Sequence, residues 1–376
     1  MNDQRLLLPG PVLMPAQAYE ALGRPIVNHR GPEARALLEE LTEGLGWLFR
    51  TEGRVLALTA SGTGGMESAV VNCFNRGDRV VVASAGAFGD RWAKIARAYG
   101  LEVSIYEQPW GEALDPAGLA RFADRHPDAR GILFTHSETS TGTVHDVEAI
   151  ARALAGHPAL RIVDAISSAG AVPFSMDEWD IDVAVSASQK ALASTPGLAF
   201  VAVGERAWAR RGDLPRFYFD WEPASEFAGQ GQTPWTPAVH VLYATVATLR
   251  LLRQEGLEGA WERHRRLGAA VRASVRALGL ALFSQAAEQS NTVTAIALPE
   301  DVEGGELVRE IRERTGIVFA GGQGRLAGKI LRFGHLGRVE AADVLAGLEA
   351  LEEVLPAFGL QLTSGSGVAA AKELLS

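Results

Sequence analysis

The chain has 376 residues, of which 47% are hydrophobic and 22% are charged, a composition typical of a soluble globular protein. Its net charge of -9 argues against nucleic acid or an anionic membrane as the main partner, because both attract clustered Lys and Arg. No apolar run is long enough to span a bilayer, and the first residues lack the apolar core of a signal peptide, so we expect a cytoplasmic protein. Cys73 is the only cysteine, which excludes an intrachain disulfide and a cysteine-rich metal site, and we expect no metal.

From about residue 55 to residue 203, short apolar runs alternate with segments of helical periodicity. The predicted strands are Val55–Thr59, Arg79–Ala83, Glu102–Tyr106, Gly131–His136, Arg161–Ala165, Asp182–Ser186 and Leu198–Val203. The predicted helices between them are Glu67–Asn75, Asp90–Tyr99, Pro116–Arg125 and Val147–Ala155. This alternation indicates an α/β fold with a mainly parallel, seven-stranded sheet covered by helices.

The pattern changes after residue 203. Residues 213–237 are rich in Pro, Trp and Gly and predict a long irregular connection, which two predicted helices follow at about 238–255 and 257–278. After Gln285, three strand-like and two helical segments predict a small α+β C-terminal domain. Residues 363–376 have the composition of a flexible tail with a short helix.

Ligands of open α/β sheets bind outside the carboxyl ends of the strands, and a glycine-rich segment follows the first predicted strand. Ser61-Gly-Thr-Gly-Gly65 opens a helix, where hydroxyls, close backbone approach and free N–H groups can bind phosphate. The same segment is also compatible with an ordinary N-cap and tight turn, since it lacks the lysine of a P-loop and the spacing of a dinucleotide site.

Two further polar clusters follow apolar strands. Asp164 ends the strand Arg161–Ala165, where a carboxylate needs a positive partner: a metal, a basic side chain or a protonated ring nitrogen. The hydroxyl-rich segment 136–142, HSETSTG, follows another strand, where it can cap the next helix or contact a ligand. Its Glu138 is equally compatible with a structural role.

Lys190 lies at a strand end among small residues, which leave space for a flat ligand beside its amine. A partly desolvated lysine has a lowered pKa, is nucleophilic and forms Schiff bases with aldehydes. A phosphate-binding loop, an acid for a ring nitrogen, a hydroxyl-rich loop and a strand-end lysine together match pyridoxal 5′-phosphate.

Six segments carry a resemblance to a known family: PGP at 9–11, SGTGGMES, HSETSTG, VDAISS, SASQKAL and GKILRFG. In this order they resemble the class V aminotransferases, which are fold-type I pyridoxal-phosphate enzymes, and among them the serine–pyruvate/alanine–glyoxylate group. The resemblance extends from Pro9 to about Val354. It implies a homodimer with sites at the interface, and transamination by a ping-pong mechanism.

The resemblance also implies roles for individual residues. Lys190 would form the Schiff base and move the substrate's α-proton, and Asp164 would keep the pyridinium nitrogen protonated. The residues implied to contact other parts of the cofactor are Ser61, Gly62, Thr63 and Gln189 at the phosphate, Thr139 at the phenolic oxygen, Phe88 on the ring face, and Thr236 at the phosphate of the neighbouring subunit. Arg332 would bind the substrate's α-carboxylate through a bidentate pair.

The expected domains are an N-terminal segment reaching the active site (1–20), a large pyridoxal-phosphate domain (21–255), a small C-terminal domain (256–362) and the tail. The first expectation for the substrates is serine or alanine with glyoxylate or pyruvate. The second is an acidic substrate (aspartate, phosphoserine or 2-aminoethylphosphonate) bound by His29 and Arg30, a pair that resembles one in phosphoserine aminotransferases. Two different classes of protein also fit part of the pattern: a pyridoxal-phosphate lyase or desulfurase, and a non-enzymatic nucleotide-binding protein.

Overall fold

The computed structural model describes residues 4–286 and 290–376. The chain begins with β1 (Arg5–Leu6), α1 (Ala16–Leu22) and α2 (Pro32–Phe49). The large unit that follows consists of β2 (Arg54–Leu58), α3 (Gly62–Cys73), β3 (Arg79–Ser84), α4 (Ala87–Ala98), β4 (Glu102–Glu107), α5 (Pro116–Asp124), β5 (Gly131–Thr135), β6 (Ser137–Glu138), β7 (Thr143–Val144), α6 (Val147–Ala153), β8 (Leu160–Asp164), β9 (Val183–Ala187) and β10 (Ala199–Val203).

Seven of these strands form the central sheet, in the order β2-β10-β9-β8-β5-β3-β4. Only β10 runs antiparallel to its neighbours, so β2, β9, β8, β5, β3 and β4 all end at one edge. This agrees with the predicted seven-stranded, mainly parallel sheet. Along β3, Val81 packs into one apolar cluster while Val80 and Val82 pack into another, so both faces of the sheet are buried. Burial on both faces explains why the strands are continuous apolar runs rather than alternating ones.

Three helices that follow β10 pack into the apolar clusters of the large unit: α7 (Glu205–Ala209), α8 (Trp221–Ala228) and α9 (Val239–Glu255). The rest of the chain forms the smaller unit, which consists of α10 (Leu257–Ala277), β11 (Ala281–Leu282), β12 (Val293–Ala297), α11 (Gly304–Thr315), β13 (Ile317–Val318), β14 (Ala320–Gly321), β15 (Ile330–Gly334), α12 (Ala341–Val354) and α13 (Ser366–Leu375). Four strands form an antiparallel sheet in the order β11-β12-β15-β14. The N-terminal strand β1 pairs in parallel with β13, so the start of the chain is joined to this unit. The predicted boundaries between the domains stay predictions.

Two segments differ from the expectation. The connection 213–237 contains helix α8, because Trp221 is fully buried and donates a hydrogen bond of 2.7 Å from Nε1 to Ser68 Oγ. At the C-terminus, α13 packs against α10 with Ala371 fully buried, and Ser274 Oγ donates to Gly367 O at 2.6 Å. The segment predicted to be a flexible tail is therefore largely a packed helix. None of the helices within residues 4–286 and 290–376 is both long and apolar enough to cross a membrane.

Candidate active site

A cavity of about 280 Å³ lies at the carboxyl edge of the central sheet. Its walls come from the segments that follow five of the parallel strands, and from one loop of the smaller unit. The lining residues are Ser61, Gly62, Thr63, Phe88, Arg91, Ser137, Asp164, Ile166, Ser167, Gln189, Lys190 and Gln323. The cavity therefore brings together seven of the residues that the sequence predicted as cofactor ligands.

Lys190 follows β9 and extends its amine toward the N-terminal segment. Nζ donates a hydrogen bond of 2.7 Å to the backbone carbonyl of Pro9. The pKa of Lys190 is lowered to about 8, chiefly by burial; the charge of Asp164 raises it, and the charges of Arg332 and Arg91 lower it. A large share of the amines is therefore neutral and nucleophilic near pH 8.

Asp164 is the last residue of β8 and is only 4% exposed. Its Oδ1 accepts a hydrogen bond of 2.9 Å from Ile166 N. Burial raises the pKa of Asp164 to about 7, while Ile166 N–H and the charge of Lys190 act in the opposite direction. A cationic ligand such as a pyridinium nitrogen would favour the charged carboxylate and supply the partner that its burial requires.

The N-terminus of α3 forms one end of the cavity, through Ser61, Gly62 and Thr63. The Ser61 side chain makes no capping hydrogen bond, so the first N–H groups of the helix are available to an anion. A Cβ on Gly62 would lie 2.7 Å from Ile166 Cδ1, so any larger residue there would require the Ile166 side chain to move. Gln189 Oε1 is buried without a hydrogen-bond partner among the described residues, and the reversed amide would offer a donor to phosphate.

Phe88 lies in the cavity wall at the start of α4, and Glu138 holds this loop in place. The Glu138 carboxylate accepts hydrogen bonds of 3.1 Å from both Phe88 N and Gly89 N, and one of 2.5 Å from Ser140 Oγ. Burial raises the pKa of Glu138, against the effect of these hydrogen bonds. Glu138 is thus a structural link between the loop of Phe88 and the loop that carries Thr139.

Arg332 lies on β15, only 4% exposed, and reaches the same region from the smaller unit. Its Nε donates to Gly321 O at 2.9 Å, and one terminal nitrogen donates to Thr139 O at 3.1 Å. Burial lowers the pKa of Arg332 to about 10. No carboxylate within residues 4–286 or 290–376 forms an ion pair with it, so a substrate carboxylate would supply the missing counter-charge. Thr139 is buried and contacts Arg332 through its backbone rather than lining the cavity.

Three predicted site residues lie elsewhere on the same chain. Arg30 donates to Gln232 Oε1 at 2.7 Å and to Pro234 O at 3.3 Å, which holds it against the connection that carries Thr236. Thr236 and Arg30 are exposed, and neither they nor His29 line the Lys190 cavity. A single chain therefore does not bring His29, Arg30 or Thr236 to the lysine.

Five lining residues are absent from the predicted ligands. Ser137, Ile166 and Ser167 lie in the HSETSTG and VDAISS segments, whereas Arg91 and Gln323 lie outside the segments that the sequence singled out. Arg91 donates to Thr63 Oγ1 at 2.9 Å, and its guanidinium carbon lies 4.7 Å from the centre of the Phe88 ring. Its position one helical turn after Phe88 is the only sequence signal for this role. Gln323 comes from the loop between β14 and β15, and nothing in the local sequence indicates that this loop reaches the cavity.

The geometry can be compared with known proteins. Residues 11–332 match the family described as Aminotransferase class-V. Over 100% of both chains, the protein is 42% identical to a Synechococcus protein named soluble hydrogenase, small subunit. It is 37% identical to the L-aspartate–glyoxylate aminotransferase of Paracoccus denitrificans (99% of this chain, 96% of the relative) and 36% identical to the serine–glyoxylate aminotransferase of Methylorubrum extorquens (98% and 95%).

Among solved structures, the ureidoglycine–glyoxylate aminotransferase of Bacillus subtilis superposes with a TM-score of 0.93 at 30% identity, covering 99% of this chain and 97% of that one. The chain therefore belongs to the class V aminotransferases. It is a pyridoxal-phosphate-dependent aminotransferase with the fold-type I architecture, and the cavity fits the cofactor's phosphate, ring nitrogen and aldehyde.

A desulfurase would require an accessible cysteine. Cys73 lies in α3 with its side chain in the apolar core, and burial raises the pKa of its thiol. An inert buried thiol cannot serve as a sulfur carrier.

Proposed function

We propose that this enzyme transfers the amino group of a small amino acid, serine or alanine, to glyoxylate or pyruvate. The observation that carries the proposal is that a single small cavity contains the Lys190 amine, the Asp164 carboxyl and the α3 N-terminus. Glyoxylate is the acceptor in the names of both aminotransferase relatives and of the superposed structure, which supports it as an acceptor here.

Each residue has a defined part in this proposal. Bound pyridoxal phosphate would supply the electron sink that makes the substrate's α-proton removable. The Lys190 amine would hold the cofactor's aldehyde carbon and carry the substrate's proton, Asp164 would pair with the ring nitrogen, and Arg332 would orient the substrate through its carboxylate. Ser61, Gly62, Thr63 and Gln189 would hold the phosphate, and Phe88 would pack on the ring. Thr139, predicted to contact the phenolic oxygen, binds Arg332 through its backbone carbonyl.

The cavity size favours a small donor. At about 280 Å³ it lies near the lower end of the roughly 300–1,000 Å³ of ligand pockets, and it must hold the cofactor as well as the substrate. His29 and Arg30 do not line this cavity within a single chain, so a partner chain would have to supply them to bind a distal anion. The cavity volume supports serine or alanine over a larger acidic donor.

An acidic donor is the second candidate. The observation in its favour is Arg91, whose guanidinium lines the cavity and forms no ion pair with a described carboxylate. A side-chain carboxylate of aspartate would match that charge. The aspartate-specific name of one relative supports this candidate as well.

We also propose a homodimer. Arg30 contacts the connection that carries Thr236, and exposed apolar side chains lie nearby: Ile26 precedes Arg30 in the sequence, and Phe217 and Tyr218 pack on Trp235. Phe217 packs on Trp235, next to Thr236. An exposed apolar patch of this kind is typical of a subunit interface, and Thr236 would then reach the partner's phosphate site.

The test is the visible absorbance of the purified holoenzyme before and after separate additions of L-serine, L-alanine, L-aspartate, phosphoserine and 2-aminoethylphosphonate. We expect the band of the lysine-bound cofactor to disappear with serine or alanine, and to be absent in Lys190→Ala. Lys372→Ala changes an exposed lysine on α13 and is the matched control. A response to acidic donors alone would select the second candidate, and a protein that takes up no cofactor would overturn both.

A further inference from the structure

Glu138 is a buried carboxylate that has no assigned part in the proposed chemistry. Its side chain is 0% exposed and does not line the Lys190 cavity, although the residue before it, Ser137, does. Taking a carboxylate out of water is costly unless hydrogen bonds or charges compensate for it. The partners of Glu138 therefore indicate which part of the molecule its charge stabilises.

The Glu138 carboxylate binds the N-terminus of helix α4 from another loop. The residue before α4 makes no side-chain capping bond. Instead, Glu138 Oε2 accepts hydrogen bonds of 3.1 Å from Phe88 N and from Gly89 N. Ala87 N donates to Ser140 Oγ at 3.0 Å, and that hydroxyl donates to Glu138 Oε1. Segment 138–140 thus binds the first three N–H groups of α4, which have no partner inside the helix.

These contacts favour the ionised form of Glu138. An ionised carboxylate accepts hydrogen bonds at both oxygens, and the N-terminus of a helix attracts negative charge. Burial raises the pKa of Glu138, whereas the hydrogen bonds from Ser140, Gly89 and Phe88 lower it. The charge of Glu138 also raises the pKa of Arg332, against the lowering effect of burial.

The two loops fit closely where they meet. A Cβ on Gly86 would collide with the carboxyl group of Glu138 and would lie 2.7 Å from Ser140 Oγ. The Glu138 backbone carbonyl accepts hydrogen bonds from Thr141 N at 3.1 Å and from Gly142 N at 3.0 Å. A turn whose backbone hydrogen bonds do not involve the Glu138 side chain therefore presents the carboxylate to α4.

Phe88 connects this contact to the cofactor site. It is the second residue of α4, and it lines the Lys190 cavity. The Arg91 guanidinium carbon lies 4.7 Å from the centre of its ring, and Arg91 donates to Thr63 Oγ1. A displacement of the first turn of α4 would therefore move the ring and alter its contact with Arg91, beside the residues predicted to hold the phosphate.

From these contacts we propose that Glu138 is a positioning residue for the cofactor site and that it acts through Phe88. Its carboxylate fixes the start of α4, and with it the ring that would pack on the cofactor. Groups that contact a ligand are held in place by hydrogen bonds from the residues behind them. The inference rests on the proposed role of Phe88 and adds to it, because Glu138 itself does not line the cavity.

The test is a double-mutant cycle on the apparent dissociation constant of pyridoxal phosphate, measured by spectral titration of the apoenzyme. Glu138→Gln keeps the shape of the side chain and removes its charge, and it should raise this constant about threefold to tenfold. Phe88→Leu should raise it about threefold or more. In the Phe88→Leu background, Glu138→Gln should add less than about twofold, because the ring through which Glu138 acts is gone.

Two results would overturn the proposal: an unchanged constant in Glu138→Gln, or effects that multiply independently in the double variant. A role in folding alone would lower the Tm of Glu138→Gln and leave the constant unchanged below that temperature. If Phe88→Leu binds the cofactor as tightly as the unaltered enzyme, the proposed role of Phe88 fails as well. A weakened Phe88→Leu beside an unchanged Glu138→Gln rejects only the positioning role.

Glu303→Gln is the control, because Glu303 caps helix α11, where it accepts a hydrogen bond of 2.6 Å from Glu306 N, outside the cavity. It should leave the constant unchanged, and an effect equal to that of Glu138→Gln would reject the proposal. If Glu138→Gln does not fold, Ser140→Ala provides the same cycle, since it removes the hydroxyl between Ala87 N and the carboxylate. We expect an increase of about twofold, absent in the Phe88→Leu background.

Discussion

Lys190 Nζ and the backbone carbonyl of Pro9 form a hydrogen bond of 2.7 Å, which places the N-terminal segment directly on the candidate catalytic amine. Gly10 makes this approach possible. Its φ of +115° is a backbone conformation that side chains rarely adopt, and an added Cβ would lie 2.6 Å from Lys190 Cδ. The PGP sequence at 9–11 is thus part of the wall around the lysine.

Gly10→Ala should displace Lys190 and lower kcat by about tenfold or more, because misplacing a catalytic group by about 1 Å is costly. Activity and the cofactor absorbance band are the measurements. Gly77→Ala is the control: it also has a positive φ, of +84°, but open space around it. That variant should lose only about 1 kcal/mol of stability and keep its kcat. Equal loss of kcat in both variants would contradict the assigned contact.

The pKa of Lys190 predicts how the apoenzyme takes up pyridoxal phosphate. Only the neutral amine attacks the aldehyde, and burial lowers the pKa of Lys190 to about 8. The capture rate, followed by absorbance, should therefore rise with pH and level off above a midpoint near 8. Since the charge of Asp164 raises this pKa, Asp164→Asn should move the midpoint lower. A midpoint near 10, the value of an ordinary lysine, would contradict the burial argument.

Arg332→Lys should raise the KM of both the amino donor and the 2-oxo acid by roughly tenfold to a hundredfold, because lysine cannot form the two-pronged pair with a carboxylate. The donor's decarboxylated amine, which lacks that group, should be turned over or bound equally well by both proteins. Steady-state kinetics measure the first effect and spectral titration the second. Arg309→Lys, on the exposed face of α11, should leave every constant unchanged. Unchanged KM values in Arg332→Lys would remove Arg332 from the site.

Ala371→Asp should reduce the free energy of unfolding by about 2 kcal/mol or more, because it places a carboxylate in the fully buried contact between α13 and α10. Thermal or urea unfolding measures the change. Ala369→Asp introduces the same group at an exposed position of the same helix and should have a much smaller effect. Equal stability of the two variants would indicate that the helix is not packed in solution.

The central sheet and three residues of the candidate site could be predicted from the sequence because of how the strands are buried. Strands buried on both faces must be apolar along their whole length, so Val80–Val82 and Val183–Val185 were visible as strands. Polar residues at their carboxyl ends must then meet at one edge, which predicted that Ser61, Asp164 and Lys190 converge. The structure brings these three together, and the roles of the individual residues stay predictions.

Contacts between residues that are distant in the chain could not be predicted from the sequence pattern. Gln323 reaches the cavity from a loop more than a hundred residues beyond Lys190, and only the packing of the two units positions it. The packing of helix α13 could not be predicted either. Its small apolar residues fit a solvated helix as well as a packed one, and only the structure shows that they lie against α10. The prediction for the connection around Trp221 was wrong because Pro and Gly in the sequence obscured a short helix held by one buried indole.

Residues 5–10 connect the two units of the molecule in a specific way. Arg5 and Leu6 pair with Ile317 and Val318 of the smaller unit, and Gly334 N donates to Leu7 O at 2.8 Å, beside Arg332. Two residues after Leu7, the Pro9 carbonyl accepts the hydrogen bond of the Lys190 amine. A shift of the smaller unit on substrate binding would therefore pull the Pro9 carbonyl with it, so this segment would transmit occupancy at Arg332 directly to the proton carrier.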